Sequence, residues 1–421
     1  MRFLVVGGGG REHALAWRLS EDGHEVAVAP GNAGTRLMGL AHLDVRAEDV
    51  EGLVAQARRL RPDCVVIGPE APLALGLADA LRAAGLAVFG PDRAAARIET
   101  SKAWAKAFMA RHGIPTAAGR AFTDAQEAER YAASLAGPAV VKAGGLAAGK
   151  GVFVCGDARE AAAAVRAVRR LGEAGREIVI EERLEGRECS LIAVTDGRRV
   201  LPLAPARDHK RALDGDRGPN TGGMGAYSPL PDVTEAQVDA IRRRILEPAV
   251  AGLAAEGCPF RGALYAGLML TAEGPKVLEF NARFGDPETQ VLLPRLRGDF
   301  GALLAAAAHG ELHRARLAWD PAWAVGVVVA AAGYPEAPRT GMPVAGLEAA
   351  AAAGALVFHA GTVLEGGRVL VRGGRVLTIV GLGPDVAAAR ERAYAACRAV
   401  GFEGAWYRND IAGGTVGGPQ A

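Results

Sequence analysis

Hydrophobic and polar positions divide this chain into stretches of different period. Over the first hundred residues, short apolar runs alternate with helical patterns. Phe3–Val6 reads as a buried strand, Glu12–Ser20 as a helix and Glu25–Ala29 as a second strand. Asp63–Ile67 and Leu86–Phe89 add strands, with Ala-rich helices predicted over 49–60 and 72–84 between them. Such βαβ alternation implies a parallel, doubly wound sheet. Gly-Pro pairs at 68–69 and 90–91 end two of the strands, and in these sheets a ligand crevice lies at the carboxyl ends of strands.

From about residue 100 the pattern changes. A helix through Trp104, Phe108 and Met109 stops at His112-Gly113, and Pro115 prevents its continuation. Residues 120–190 then run strand, helix, strand, loop, strand, helix, strand, a small α+β unit. A Gly/Pro/Asp-rich loop at 213–231 is too long to be a passive connector. A helix over 234–256 and a hairpin of 261–271 with 275–281 follow. The last block has strands at 325–330, 356–364 and 375–381, a helix at 385–400 and a Gly-rich tail expected to fray. The chain of 421 residues has the length of about three domains at ~150 residues each. The expected division is 1–100, 101–324 with a smaller unit at about 119–190, and 325–421.

Composition narrows the function. Half the residues are hydrophobic and 23% charged, the balance of a globular protein. Lys and Arg number 49 against 47 Asp and Glu, a net charge of +2. That lacks the basic surplus of a nucleic-acid binder. The five cysteines are far apart, without a CxxC pair, which points to a reducing compartment, the cytoplasm. The longest apolar run, around Ala324–Gly333, is too short to span a bilayer, and the N-terminal apolar run is broken by four glycines, so neither a membrane nor a signal segment is expected. Lysine occurs only at Lys102, Lys106, Lys142, Lys150, Lys210 and Lys276, and asparagine only at Asn32, Asn220, Asn281 and Asn409; arginine supplies every other basic charge.

Several segments carry chemistry. Gly7–Gly10 after the first strand invites a dinucleotide reading, but Glu12 stands where the third glycine belongs, and the second strand ends Ala29-Pro30-Gly31 without a ribose-binding acid. What remains is a glycine turn presenting N–H groups to a phosphate, with Arg11 and His13 nearby. Gly144–Lys150 has Walker-like spacing, yet Gly151 replaces the metal-binding Ser/Thr and strand-like Val140–Lys142 and Val152–Val154 flank it. A glycine loop between two strands suits a lid over a triphosphate, with Lys142 and Lys150 neutralising charge. Ile178–Ile180 runs into Glu181, where a strand edge can meet an adenine and a carboxylate the ribose hydroxyls. In Lys276–Glu288, alternation puts Glu279 and Asn281 on one face and Phe280 on the other. Two oxygen donors at i and i+2 suit Mg²⁺, and Arg283 can clamp a carboxylate or phosphate. Asp208–Arg211 and the glycine-rich 218–229 loop complete the set, the loop offering amides to a ligand.

A chain with these segments resembles the phosphoribosylamine–glycine ligases (glycinamide ribonucleotide synthetases) of the ATP-grasp superfamily. The resemblance rests on Gly8–Ala14, Pro30–Thr35, Gly68–Leu73, Lys142–Val152, Asp208–Lys210, the 218–229 loop, Glu279–Glu288 and Val357–Thr362. It implies an α/β and α+β multidomain fold: a doubly wound parallel N-terminal domain, an ATP-grasp core with a mobile lid subdomain, and a small α+β C-terminal domain. The implied reaction phosphorylates glycine with ATP and passes the glycyl group to 5-phosphoribosylamine, in purine synthesis. Mg²⁺ or Mn²⁺ is the implied metal, held by Glu279 and Asn281. Lys102, Lys142 and Lys150 would face the phosphates of ATP, and Glu181, Leu184 and Glu188 its nucleoside. Arg283, Asp208 and Lys210 would line the reaction centre. Gly9, Gly10, Glu70, Asn220, Thr221, Gly222, Gly223, Met224, Gly285 and Asp286 would bind the ribose phosphate and glycine. Lys106 and Lys276 have no role in this reading and are expected to be solvated. The expected state is a monomer or weak dimer, with transient contact to neighbouring purine-pathway enzymes. Gly144 departs from the polar residue frequent at that lid position. A sister ATP-grasp ligase would lack the 218–229 loop, and a nucleotide sensor would tolerate loss of Glu279, Asn281 or Arg283.

Overall fold

The computed structural model describes residues 1–147 and 151–415. Its first residues form a five-stranded parallel sheet with Arg2–Gly7 at the centre. Glu25–Pro30 and Cys64–Ile67 flank that strand, and Ala41–His42 and Val88–Phe89 are the edges. Phe3, Leu4, Val5 and Val6 are all fully buried, because helices cover both faces of such a sheet and the strand reads as one apolar run. The single helix expected over 72–84 is two, Glu70–Ala74 and Leu77–Ala83. They break at Gly76, whose φ of +84° belongs to the left-handed region that favours glycine. A helix at Arg93–Thr100, absent from the sequence reading, turns Ala95, Ala96, Ile98 and Glu99 inward.

The α+β unit has the predicted element order. Gly119–Phe122, Ala139–Ala143, Val152–Cys155 and Ile178–Glu182 form an antiparallel sheet, with the last strand between the first and second. Helices Ala125–Ala133 and Ala158–Arg169 pack against it around Phe122, Val141, Val165, Ile178 and Ile180. This core is separate from those of the rest of the molecule.

Beside it lies a second antiparallel sheet in the order Val200–Pro202, Arg187–Asp196, Arg261–Thr271, Gly274–Asn281. The hairpin register sets Tyr265 opposite Asn281 and Gly267 opposite Glu279. The predicted 234–256 helix contains a π-turn at Arg242–Leu246 between Glu235–Ile241 and Glu247–Ala255. The wider turn sits just before Pro248, which has no N–H to continue the ladder.

Two further expectations are revised. The 213–231 stretch is not one loop: Arg217–Asn220 pairs with Arg211–Leu213, and Gly225–Ser228 enters a five-stranded sheet beside Trp323–Ala330. The 356–364 run is two strands, Leu356–His359 against Arg375–Gly383 and Thr362–Glu365 against Arg368–Val371. The chain turns between them at Gly361, where a Cβ would come within 2.6 Å of the Gly373 Cα. Helix Val386–Ala399 packs on this last sheet. Residues 416–421 of the tail expected to fray lie outside the described residues.

The first and last blocks meet through histidine. The His359 N–H donates to His13 Nδ1 at 2.8 Å, and His13 and Trp17 meet Phe358 edge-on. Burial, and for His13 also the neighbouring His359, depress both imidazoles, His13 to about 3 and His359 to about 4. An unfolded chain binds these protons near pH 6.5, so stability present above that pH is lost as pH falls toward 4. The expected slope is about 1.4 kcal/mol per pH unit for each histidine. Denaturant titrations at pH 7.5, 6 and 5 should show it, and His13→Gln should flatten it; curves that coincide at all three pH values would refute this.

Candidate active site

The lid sheet, the hairpin and the last sheet enclose a cavity of about 2110 Å³. Its floor is the strand Gly274–Asn281. Phe280 points into the core, while Glu279 and Asn281 face the cavity as the alternation requires. The Glu279 carboxylate makes no hydrogen bond or ion pair with any described residue. Burial alone would raise its pKa, but the fields of Lys102, Lys210, Lys142 and Arg283 outweigh this and hold it below the ordinary range. Among the described residues, Asn281 Oδ1 accepts only a 3.3 Å contact from Arg283. An ionised, unpartnered carboxylate beside an amide oxygen is a donor set that fits Mg²⁺ or Mn²⁺.

Arg283 is the hub next to this pair. Its guanidinium lies 3.2 Å from Glu70 and 3.0 Å from Glu99, and it also donates to the Phe284 carbonyl at 3.2 Å. Burial opposes its charge, but Glu99 and Glu70 outweigh burial and raise its pKa. Glu70 is pulled down to about 2, burial being overcome by Arg283 and Arg11. Glu99, deeper still, stays raised by burial despite Arg283. The sequence reading missed Glu99, although it stands three residues before Lys102 on a helix with an apolar face.

On the lid side, Lys142 Nζ lies 2.5 Å from Glu181 Oε2 and donates to the Leu278 carbonyl at 2.8 Å, bridging lid and floor. Lys102 and Leu184 also line the cavity. Lys150 lies outside the described residues. Glu188, expected beside the nucleoside, lines the cavity with Leu184 and pairs with Lys210 at 2.7 Å, and Asp208 takes the same ammonium at 3.0 Å. Lys106 corrects the reading most: far from being solvated, it lines the cavity and pairs with Glu181 at 2.7 Å. Lys276 is half-buried, paired with Glu273 at 2.8 Å near the hairpin turn.

Asn220, Thr221 and Gly222 line the cavity, and the amides from Thr221 to Met224 are all taken by protein acceptors. Thr221 N–H donates to Lys210 O, Gly223 N–H to Thr221 Oγ1 and Met224 N–H to His209 O. Gly222 N–H donates to the Tyr334 hydroxyl at 3.1 Å, and the Met224 side chain is wholly buried. Asn220 Nδ2 reaches the lid at the Val152 carbonyl, 3.1 Å away. Arg375 locks the loop to the floor, donating to Gly222 O at 2.6 Å and pairing with Asp286 at 3.1 Å. Arg375 and Tyr334 were invisible in the sequence, being more than a hundred residues from the loop they hold.

Gly9 lines a second cavity of about 370 Å³ with Gly7, Gly8 and Arg46; Arg11 and Asp286 border both cavities. The Gly9 N–H is held by Glu12 at 2.6 Å. Gly10, Gly223, Met224 and Gly285 line neither cavity and act as packing: a Cβ on Gly10 would meet Gln290 at 2.7 Å, and one on Gly285 would meet Glu288 at 2.5 Å. Also missed were Tyr265 and Glu288, with Ser190 Oγ 2.9 Å from the Tyr265 hydroxyl and 3.0 Å from Glu288 Oε1. Burial and the nearby Asp208 raise the Glu288 carboxyl. The predicted hairpin contained the signal for Tyr265, since its register puts that residue across from Asn281.

Family comparisons agree over 98% of the chain. Residues 1–99, 100–289 and 324–414 match the N, ATP-grasp (A) and C domains of phosphoribosylglycinamide synthetase. Over 418 residues, 98% of each chain, the sequence is 52% identical to phosphoribosylamine–glycine ligase of Allochromatium vinosum. It is 50% identical to that of Neisseria meningitidis serogroup A, covering 98% of this chain and 99% of the relative. The crystal structure of phosphoribosylamine–glycine ligase from Thermotoga maritima superposes with a TM-score of 0.83 at 35% identity, covering 98% of this chain and 100% of that one. The biotin carboxylase domain of Hydrogenobacter thermophilus 2-oxoglutarate carboxylase shares the fold, with a TM-score of 0.73 at 16% identity over 96% of this chain and 91% of that one.

Proposed function

The chain belongs to the phosphoribosylglycinamide synthetase family, and from that premise we propose how its cavity performs the family's reaction. The enzyme is an ATP-dependent, ADP-forming carbon–nitrogen ligase of purine biosynthesis. It joins glycine to 5-phosphoribosylamine through a glycyl phosphate, giving glycinamide ribonucleotide, ADP and phosphate. The observation that carries the reading is one cavity in which the unpartnered Glu279, the lysines of lid and core, and the 218–229 loop face one another.

Lys102, Lys142 and Lys150 hold the polyphosphate; Glu181 and Leu184 face the nucleoside, with Glu188 reached through Lys210. Glu279 and Asn281 hold Mg²⁺ or Mn²⁺. When bound, that cation offsets the negative charge of the transferring phosphoryl group. Arg283, Asp208 and Lys210 orient the glycine carboxylate and the acyl phosphate. An acyl phosphate survives only where water is excluded, which is the task of a lid with its own core. The ribose phosphate enters the smaller cavity at Gly9, with Gly10 shaping the turn, and its amine reaches the larger one past Glu70 and Asp286. Asn220–Met224 and Gly285 shape that passage, and occupancy at Gly222 would release Tyr334. No covalent nucleophile on the protein is needed.

We assign 1–100 to the N-terminal unit, 101–324 with a lid at about 119–190 to the ATP-grasp unit, and 325–421 to the C-terminal unit; the separate parallel sheet of the first unit and the separate sheet and core of the lid support this, while the sheet of the last unit also takes in Gly225–Ser228 of the middle one. Among the described residues no helix is long and apolar enough to cross a membrane. We place the enzyme in the cytoplasm as a monomer or weak dimer, with transient contacts to neighbouring purine-pathway enzymes. Its exposed large apolar side chains, such as Leu37, Leu75 and Leu213, are scattered over separate elements. The test is ADP release with glycine and phosphoribosylamine omitted in turn. Sustained ADP release should require both; release without glycine, or none with both present, would overturn the reading.

A further inference from the structure

Lys106 lies on helix Lys102–Arg111, one turn beyond Lys102, and its side chain is only 12% exposed. Its ammonium reaches three acceptors: Glu181 Oε1 at 2.7 Å, Thr116 Oγ1 at 3.2 Å and the Ala117 carbonyl. An ammonium has three donors, so none is left for a ligand. Thr116 and Ala117 belong to the connector into the lid, and Glu181 to the lid's last strand. The other oxygen of Glu181 holds Lys142. One buried carboxylate therefore serves two buried ammonium groups, and both together keep it ionised against burial.

We propose that Lys106 is a positioning residue of the nucleotide pocket, which fixes the Glu181 carboxylate and keeps it paired when Lys142 turns from it to the triphosphate. The exchange balances charge. With ATP bound, Lys142 gains phosphate oxygens, and without Lys106 its departure would leave Glu181 buried and unpaired, an arrangement that costs far more than an exposed one. Glu181 held in place and ionised is an acceptor for donor groups of the nucleoside, and this part rests on the placement of Glu181 beside the nucleoside proposed above. It also gives Lys106 a reason to remain lysine in a chain that otherwise prefers arginine, since a wide guanidinium fork does not match three converging acceptors.

The test is a double-mutant cycle of Lys106→Met and Glu181→Gln, read as KM for ATP, kcat and MgADP affinity by calorimetry. Lys106→Met should raise KM for ATP and weaken MgADP by roughly tenfold or more, with kcat changed by less than about threefold. The double variant should be no weaker than Glu181→Gln alone, because Lys106 acts through that carboxylate. Should Lys106→Met fold poorly, Lys106→Gln keeps two donors without the charge and is measured instead. Unchanged nucleotide affinity in the Lys106 variants, or strictly additive effects in the cycle, would overturn the role of Lys106. Unchanged affinity in Glu181→Gln would overturn the placement of Glu181 itself.

Discussion

Glu279→Ala is expected to reduce turnover by roughly 10²–10³-fold or more while the fold survives. The side chain contributes no hydrogen bond or ion pair with described residues, so its loss leaves no partner stranded. Burial disfavours its charge while Lys102, Lys210, Lys142 and Arg283 favour it. Those opposing effects disappear together, and the thermal midpoint should move by only a few degrees. The chemistry has no such compensation, because four cations without the carboxylate no longer hold a divalent ion beside Asn281. Steady-state ADP release and a thermal melt on the same sample check this. Wild-type turnover would refute the metal assignment, and an unfolded variant would refute the separation of site from scaffold.

Arg283→Met should damage both activity and stability. Arg283 is the direct cationic partner of Glu99 and one of those acting on Glu70. Removing one member of a buried ion pair typically costs about 3–5 kcal/mol. The Glu99 carboxyl is already raised by burial with Arg283 present, so in the variant it rises further above its unfolded value. A carboxyl raised in the folded state gives stability that is present at low pH and lost as pH rises through the folded pKa. The deficit should therefore grow from pH 5 to pH 8, opposite in sign to the slope from His13 and His359. Denaturant unfolding at both pH values is the measurement, and wild-type stability at pH 8 would contradict the prediction.

What could be read from the sequence follows from the range of the interactions. Phe3–Val6, the lid elements and the Glu279/Asn281 face depend on local period and were legible. The Gly225–Ser228 strand carries no period of its own; it is held by Ala324–Val327, about a hundred residues away in sequence. The same distance hid Arg375, which meets Gly222 across 153 positions, and Tyr334. Lys102, Lys142, Lys150 and Lys210 fall in segments that the motifs or the resemblance mark, whereas Lys106 lies in none of them. Its meaning lies in Glu181, 75 residues on, and in a connector that folds back over it. The acceptors that the Thr221–Met224 amides meet were hidden for a related reason: glycines allow an amide to turn, but the partner it turns toward is set by tertiary contacts such as those of His209, Lys210 and Tyr334.

The central claim is that this cavity makes and consumes a glycyl phosphate, and oxygen transfer tests it most directly. Glycine carrying ¹⁸O in both carboxylate oxygens is turned over with ATP and phosphoribosylamine, and the released phosphate is analysed by mass spectrometry. One carboxylate oxygen must attack the γ-phosphorus and leave with it when the amine displaces phosphate. The account predicts one ¹⁸O in each phosphate formed; phosphate free of label would contradict it.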